Sequence, residues 1–405
     1  MSRSPVLADR ISPLDESRVL GRRLIVREAR NATLLLDDDG TTRRYTDLTS
    51  SYGAVNFGHL NPDITAHQGL DADLVSGVYP EEAYEVADWL TDRLGAPGHR
   101  VLYQVGGSFA VASALALAQR VRRGRILVLD GAFHGLGVDA LAATSTHRPL
   151  ALQNTPWVTE TDRWIERVAP GGPVPDLDGI SCLLFEPVQG ANGYVPVDPA
   201  WLERLVTAAR SRGVVVIADE VQAGFHRHGS LSPSRAAGLE PDVHLFSKSL
   251  TNGLAALSAV VYPEAFDEAV GQDLALAHTF QTSVPAYRAA AAVSRWLDRT
   301  PVAGLADGVA TALEKYAKQI AGLYGTRDVH LTGPTLSFGH DRAGELVHRG
   351  VERGVLVFTG GHDGRRIRVA PPLTIAPEQL ASALDLLTEA LESLGDPHDD
   401  PTEKE

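Results

Sequence analysis

The 405-residue chain has a single cysteine, Cys182, set in an apolar run. It therefore forms no intrachain disulfide, and a lone thiol among apolar neighbours is expected to be buried and inert. Such a chain suits a reducing cytosol, so a cytoplasmic location is expected. Long apolar runs are also missing, and nothing approaches the length a membrane span needs. Residues 1–20 lack a continuous apolar segment and carry acids early, which does not match a secretory signal. A surplus of basic residues is absent as well. The formal net charge is −14, whereas a nucleic-acid partner asks for a basic face. No fixed-period repeat is visible. Hydrophobic residues make up 44% and charged residues 22%, an ordinary balance for a globular enzyme with a large core and two domains.

One stretch, residues 217–253, organises the rest. It opens on an apolar strand (214–218) that delivers Asp219 at its carboxyl end. It closes on another (243–246) that delivers Ser247 and Lys248. Ligands of open α/β sheets bind outside the carboxyl ends of the strands. A strand-end carboxylate and a strand-end amine sharing one crevice can be a salt bridge at the sheet rim. They are also what pyridoxal phosphate requires, a lysine for the Schiff base and an acid that keeps the pyridinium nitrogen protonated. The neighbours bear on the choice. Asp-Glu-Val-Gln (219–222), Gly224-Phe225, Ser-Lys-Ser (247–249) and Asn252-Gly253 resemble, in order and separation, two signature segments of the class III aminotransferases. These are fold-type I pyridoxal phosphate enzymes.

Further segments extend the resemblance from about residue 30 to 390. A strand (100–105), the turn Gly106-Gly107-Ser108 and an apolar helix (109–120) make an anion cradle, since a helix start offers free N–H groups and a favourable dipole. They align with the family's phosphate loop. The usual Glu-Ala-Asn-Glu is replaced by Phe109, Ala110, Val111 and Ala112, which implies a more deeply buried helix. A buried strand (126–130) leads to Phe133-His134-Gly135, which resembles the family's aromatic-His-Gly segment. The resemblance implies that Phe133 stacks on the pyridine ring, as a flat π-face can, and that Val221 packs on the opposite face. His134 reads as structural. Relatives acting on acylated ornithine carry an arginine where Leu136 stands, which disfavours that substrate class.

A strand (180–185) ends in Glu186-Pro187-Val188-Gln189-Gly190, similar to the family's Glu-Pro-x-x-Gly. Glu186 is either a partner of a substrate-binding arginine or a strand-end carboxylate satisfied by backbone amides. Gln222 is expected to hydrogen-bond the ring's phenolic oxygen. Thr279, in a Thr-Phe pair, would reach the cofactor phosphate of a neighbouring subunit, which implies a homodimer, although the loop that follows (281–284) departs from the family. Arg368 lies in Arg-x-x-Pro-Pro-Leu-x-Ile and aligns with the arginine that clamps a substrate carboxylate. Tyr52, ahead of Gly58-His59-Leu60-Asn61-Pro62, is either a residue of the substrate entrance or a packing tyrosine.

Alternating strands and helices imply an α/β fold, a mostly parallel mixed sheet between helices. The resemblance adds a small α+β domain built from the C-terminal part and the N-terminal segment. Expected divisions are 1–55 (N-terminal segment, with a leader and one helix-like piece to about residue 30, then a hairpin over 32–45), 56–290 (large domain), 291–395 (small domain) and 396–405 (frayed tail). The expected reaction moves an amino group from an amino-acid donor to a keto, aldehyde or ketone acceptor, with Lys248 as Schiff-base lysine and proton carrier and Asp219 as ring-nitrogen partner. An aminomutase, racemase or decarboxylase on the same fold is the alternative. No metal site is expected.

Overall fold

The structure is a computed structural model that describes residues 19–22, 24–38, 40–66, 69, 71–146, 156–271 and 276–395. The expected leader over residues 1–18 and the tail at 396–405 lie outside the described residues.

Seven strands make the central sheet, in the order His99–Gln104, Ser258–Pro263, Val243–Phe246, Val215–Asp219, Ile180–Phe185, Arg125–Leu129, Ile165–Val168. Only Ser258–Pro263 runs against its neighbours; the remaining pairs are parallel. The three middle strands, ISCLLF, VVIAD and VHLF, are buried at every position. Strands covered on both faces read as continuous apolar runs, which is why their sequences show no alternation. Alternate side chains nevertheless go to opposite layers. Cys182, Leu184, Val215 and Ile217 pack against Ala110, Val111, Ala114 and Leu117 of the helix Gly107–Val121. Leu183, Phe185, Val216 and Ala218 pack against Trp201, Leu202 and Leu205 of the helix Pro199–Ser211. That second helix is started by Asp198, whose side chain accepts from the Ala200 N–H, with proline in the first turn.

A second layered unit follows. Its antiparallel sheet runs Arg327–Leu331, Leu336–Gly339, Arg366–Val369, Phe358–Gly360. Helices Val302–Ile320, Ala343–Arg353 and Pro377–Glu392 bury their apolar faces in one cluster with it, and Ala32 and Leu48 join that cluster. The N-terminal strands Ile25–Arg30, Thr33–Asp38 and Thr41–Asp47 form a sheet completed by Val355–Leu356 from the C-terminal part. The 32–45 hairpin is there as expected, and residues 25–30, expected as the end of the leader, form a further strand. This edge strand is exposed at nearly every position and carries a register shift between Val26 and Glu28. Neither of its faces is buried, so its sequence carries no period for a pattern to reveal.

Candidate active site

Four parallel strands bring their carboxyl ends to one place. Ala218 pairs in register with Phe185, and Asp219 with Leu245. Glu186 therefore sits beside Asp219, and Lys248 follows from the next strand. From the far side, Phe133 and His134 arrive just past Arg125–Leu129. Asp219 is buried. One carboxylate oxygen accepts from the Val221 N–H at 3.1 Å, and the other lies 2.7 Å from His134 Nδ1. A carboxylate only accepts, so Nδ1 carries the proton of that bond. His134 is itself buried, and its Nε2 has no partner among the described residues.

Lys248 stands at a left-handed backbone position, φ 48°, directly after the strand. Burial pulls its ammonium down to about 8, against the raising pull of the Glu186 carboxylate, with the Arg368 guanidinium lowering and Asp219 raising it in turn. Three charged groups thus act on the Lys248 amine from one crevice. Glu186 is fully buried and pushed up to about 7, first by desolvation and then by the neighbouring Asp219 charge, while His134 and two backbone bonds work the other way. Those bonds come from the N–H groups of Phe133 (2.8 Å) and Gly190 (3.2 Å). Of its two sequence readings, Glu186 thus takes the backbone-satisfied one, and no ion pair joins it to Arg368 among the described residues.

The helix Gly107–Val121 points its start into the same crevice. Gly106 adopts φ +146°, a region closed to other residues, and is held from both sides by the buried Ser258, whose hydroxyl accepts from its N–H (3.2 Å) and donates to its carbonyl (3.0 Å). The first N–H groups of a helix have no intrahelical partner. Ser108 Oγ accepts from the Leu136 N–H at 3.2 Å. A Cβ on Gly107 would lie 2.8 Å from Val221 Cγ1, so that wall is close-packed. The helix is buried at Ala110, Val111, Ala114, Leu117 and Ala118; of the four positions that depart from the family, Ala110 and Val111 are buried, Ala112 is half-buried and Phe109 is 58% exposed.

Opposite the cradle, the small antiparallel sheet supplies Arg368. Its guanidinium is centred 5.3 Å from the Tyr52 ring and 5.8 Å from the Tyr194 ring, and it donates to the carbonyls of Thr359 (3.0 Å) and Gly190 (3.4 Å). Tyr52 stacks on Phe358 at 4.4 Å between centroids. Gln222 donates one of its two amide hydrogens to the Tyr52 carbonyl at 2.7 Å, which leaves the second for another acceptor. A Cβ on Gly190 would overlap the Gln222 amide oxygen. Thr279 opens a short 3₁₀ turn and is exposed. The structure gathers Asp219, Lys248, Glu186, Phe133, Val221, Gln222, Gly107, Ser108, Tyr52 and Arg368 in one crevice, and leaves Thr279 exposed on its short turn.

His134, read as structural, holds Asp219 by a hydrogen bond. Sequence reasoning missed two further participants. Ser258 sits in an unremarkable apolar strand, and no local signal marks it. Tyr194 shares the Arg368 guanidinium from a loop that carries no motif.

The donor set fits pyridoxal phosphate: an amine and a carboxylate on adjacent strand ends, an aromatic side chain beside them, and a helix start trimmed to glycine. Comparison with known proteins agrees. The family model "Aminotransferase class-III" matches residues 17–391. Diaminobutyrate–2-oxoglutarate transaminase of Nocardia farcinica is 29% identical over 393 residues, covering 89% of this chain and 88% of that one. Acetylornithine aminotransferase of Listeria innocua is 26% identical over 385 residues, covering 89% and 94%. Among solved structures, ornithine aminotransferase of Toxoplasma gondii ME49 superposes with a TM-score of 0.84 at 19% identity over 96% of this chain and 93% of that one. An amine transaminase from an uncultivated Pseudomonas species gives 0.81 at 22% over 95% and 98%. The chain belongs to the class III aminotransferases, fold-type I enzymes that use pyridoxal phosphate to transfer amino groups.

Proposed function

We propose that this aminotransferase takes the amino group of an α-amino acid and passes it to a keto, aldehyde or ketone acceptor, in two half-reactions through the same crevice. The observation that supports it best is the Lys248 amine, its affinity for protons reduced by burial, set between the Asp219 and Glu186 carboxylates and the Arg368 guanidinium. When bound, pyridoxal phosphate supplies the electron sink that loosens bonds at the donor's α carbon. Lys248 anchors it and, once freed by the donor, takes the proton from that α carbon, with a share of the amine neutral at neutral pH. Asp219, fixed by His134 and the Val221 N–H, holds positive charge on the ring nitrogen. Gly107 and Ser108 take the phosphate. Phe133 and Val221 hold the two ring faces, and Gln222 fixes the Tyr52 backbone at the ring's edge.

Arg368 takes the donor carboxylate. Among the described residues its guanidinium meets only carbonyls and ring faces, and no carboxylate among them competes for its free edge. Glu186 narrows the pocket and tunes Lys248, and Tyr52 lines the entrance. Thr279, exposed at the rim, completes the phosphate site of a second copy in a homodimer. Residues 56–290 form the cofactor-binding unit, with 291–395 and 1–55 the smaller one. The lack of a basic residue at Leu136 and the apolar phosphate helix favour a specialised biosynthetic substrate, small or carried on a larger partner, in the cytoplasm.

A single-turnover experiment tests the reading. With each amino-acid donor and no acceptor, the enzyme should release about one keto acid per site, and later addition of an acceptor should aminate it. Donor consumed without keto acid would instead indicate racemase, mutase or decarboxylase chemistry.

A further inference from the structure

Arg227 is a charged side chain with no exposed surface and no ion-pair partner among the described residues. Burial lowers its pKa to about 10. A buried guanidinium is costly unless its donors are satisfied, and here neutral oxygens serve the two terminal nitrogens, while Nε has no partner among the described residues. One terminal nitrogen donates to Ser50 Oγ (3.2 Å), Asn56 Oδ1 (3.0 Å) and the Ala370 carbonyl (3.5 Å). The other donates to the carbonyls of Pro334 (3.2 Å) and Pro371 (3.0 Å). Arg227 itself lies in the loop that leaves Asp219 and Gln222, so one side chain ties the cofactor loop to three other segments.

Two of those segments carry the substrate wall. Ser50 opens a run of left-handed residues, Ser50, Ser51 and Tyr52, at φ 45°, 48° and 59°. Such geometry costs about 1–2 kcal/mol per residue for L-amino acids and persists only where the surroundings over-determine it. Ala370 lies just past Arg368, at the end of the strand Arg366–Val369. Ser50 Oγ donates to the Ala370 carbonyl at 2.7 Å, the Ala370 N–H donates to the Leu48 carbonyl at 2.7 Å, and Asn56 Nδ2 donates to the Phe225 carbonyl at 3.1 Å. The Tyr52 ring and the Arg368 guanidinium, 5.3 Å apart, thus hang from backbone that the same guanidinium grips.

We propose that Arg227 is a positioning residue for substrate carboxylates: by bonding Ser50, Ala370 and Pro371 at once it fixes the spacing of Tyr52 and Arg368. The inference rests on the reading of Arg368 as the carboxylate clamp. A planar fork with five donors can serve acceptors lying in several directions, which an ammonium on a flexible stem does less well.

The test uses the holoenzyme with Arg227→Met, Arg227→Lys and Arg368→Met. It compares KM and kcat for an amino-acid donor with those for a carboxylate-free amine, and measures Kd for an unreactive carboxylate, 4-methylpentanoate, through the visible absorbance of the bound cofactor. Arg227→Met should raise that Kd and the amino-acid KM by about 10–100-fold, leave kcat within a few-fold and spare the amine. Arg227→Lys should recover part of the loss. An unchanged Kd, or equal KM increases for both donors, would overturn the proposal. Should Arg227→Met fail to fold, Arg227→Lys and Ser50→Ala carry the same comparison: a selective rise in Kd upholds the proposal and a uniform or absent one overturns it. If Arg368→Met leaves Kd unchanged, the clamp reading falls and takes this inference with it. If Arg368→Met loses the carboxylate while folded Arg227→Met keeps it, the Arg227 inference alone is wrong.

Discussion

The two sides of the crevice are built by different means. On the cofactor side, Asp219, Glu186 and Lys248 stand at the ends of adjacent, fully buried strands whose register places them. On the substrate side, Tyr52 and Arg368 come from distant parts of the chain, one on a strained left-handed stretch and the other on a second sheet. The first side is rigid by virtue of the sheet core. The second is only as rigid as the hydrogen bonds that cross between units. Substitutions on the cofactor side should therefore affect chemistry, and those on the substrate side should affect selectivity.

The largest expected effect belongs to the cofactor side. Lys248→Ala removes the proposed covalent anchor and proton carrier, and turnover should fall by at least about 10⁴-fold, with no cofactor fixed to the protein by borohydride. Near-normal turnover in this variant would break the comparison at its root. Asp219→Asn keeps the shape and loses the charge, so kcat should drop by about 10²–10³-fold. His134→Ala removes one charge-assisted hydrogen bond to that carboxylate and should cost about tenfold in kcat, with little change in KM. A loss in His134→Ala as large as that in Asp219→Asn would mean that the imidazole does more than orient.

Gly190→Ala probes the seam between the sides. A methyl group there would displace Gln222, which holds the Tyr52 carbonyl, and it would also disturb the Gly190 carbonyl that Arg368 contacts. The expected result is a KM for amino-acid donors raised about tenfold, a cost of roughly one hydrogen bond to a charged group, with the cofactor retained. Loss of cofactor with KM intact would instead support the ring-oxygen role for Gln222 that its sequence context suggests.

This asymmetry also explains what the sequence made legible. Apolar runs such as ISCLLF and VHLF mark buried strands, so the placing of Glu186, Asp219 and Lys248 at or within two residues of neighbouring strand ends could be read directly. Gly106-Gly107-Ser108 could be read because a helix start has local chemistry. The spacing of Tyr52 and Arg368 could not, since it depends on contacts across more than three hundred positions, such as Ser50 to Ala370. Arg227 left no local trace either, because its acceptors are mainly backbone carbonyls, which every residue has. Ile25–Arg30 escaped for the opposite reason: an exposed edge strand has no buried face to impose a pattern.

The smallest effect is also the most direct measure of how dry the cofactor side is. Lys248 should titrate near 8, far below an ordinary lysine, because burial disfavours its charged form. Only the neutral amine can capture the aldehyde of pyridoxal phosphate, so the rate of cofactor loading into apoenzyme should rise with pH and level off above about 8. Glu186 opposes the shift, since its negative charge favours the ammonium. Glu186→Gln should therefore move the inflection lower. Glu186 itself loses its proton near 7, so in the unsubstituted protein the lysine's affinity for protons rises as pH climbs through that region, and the rate should rise less steeply than a single titration allows. The same carboxyl binds its proton more tightly folded than unfolded. Its contribution to stability is present at low pH and falls as pH climbs from the ordinary glutamate range to about 7, a slope that Glu186→Gln should flatten in thermal unfolding. A loading inflection above 10, or one that Glu186→Gln moves upward, would show that water reaches the lysine freely, and the contrast between a dry cofactor wall and a hydrogen-bonded substrate wall would not stand.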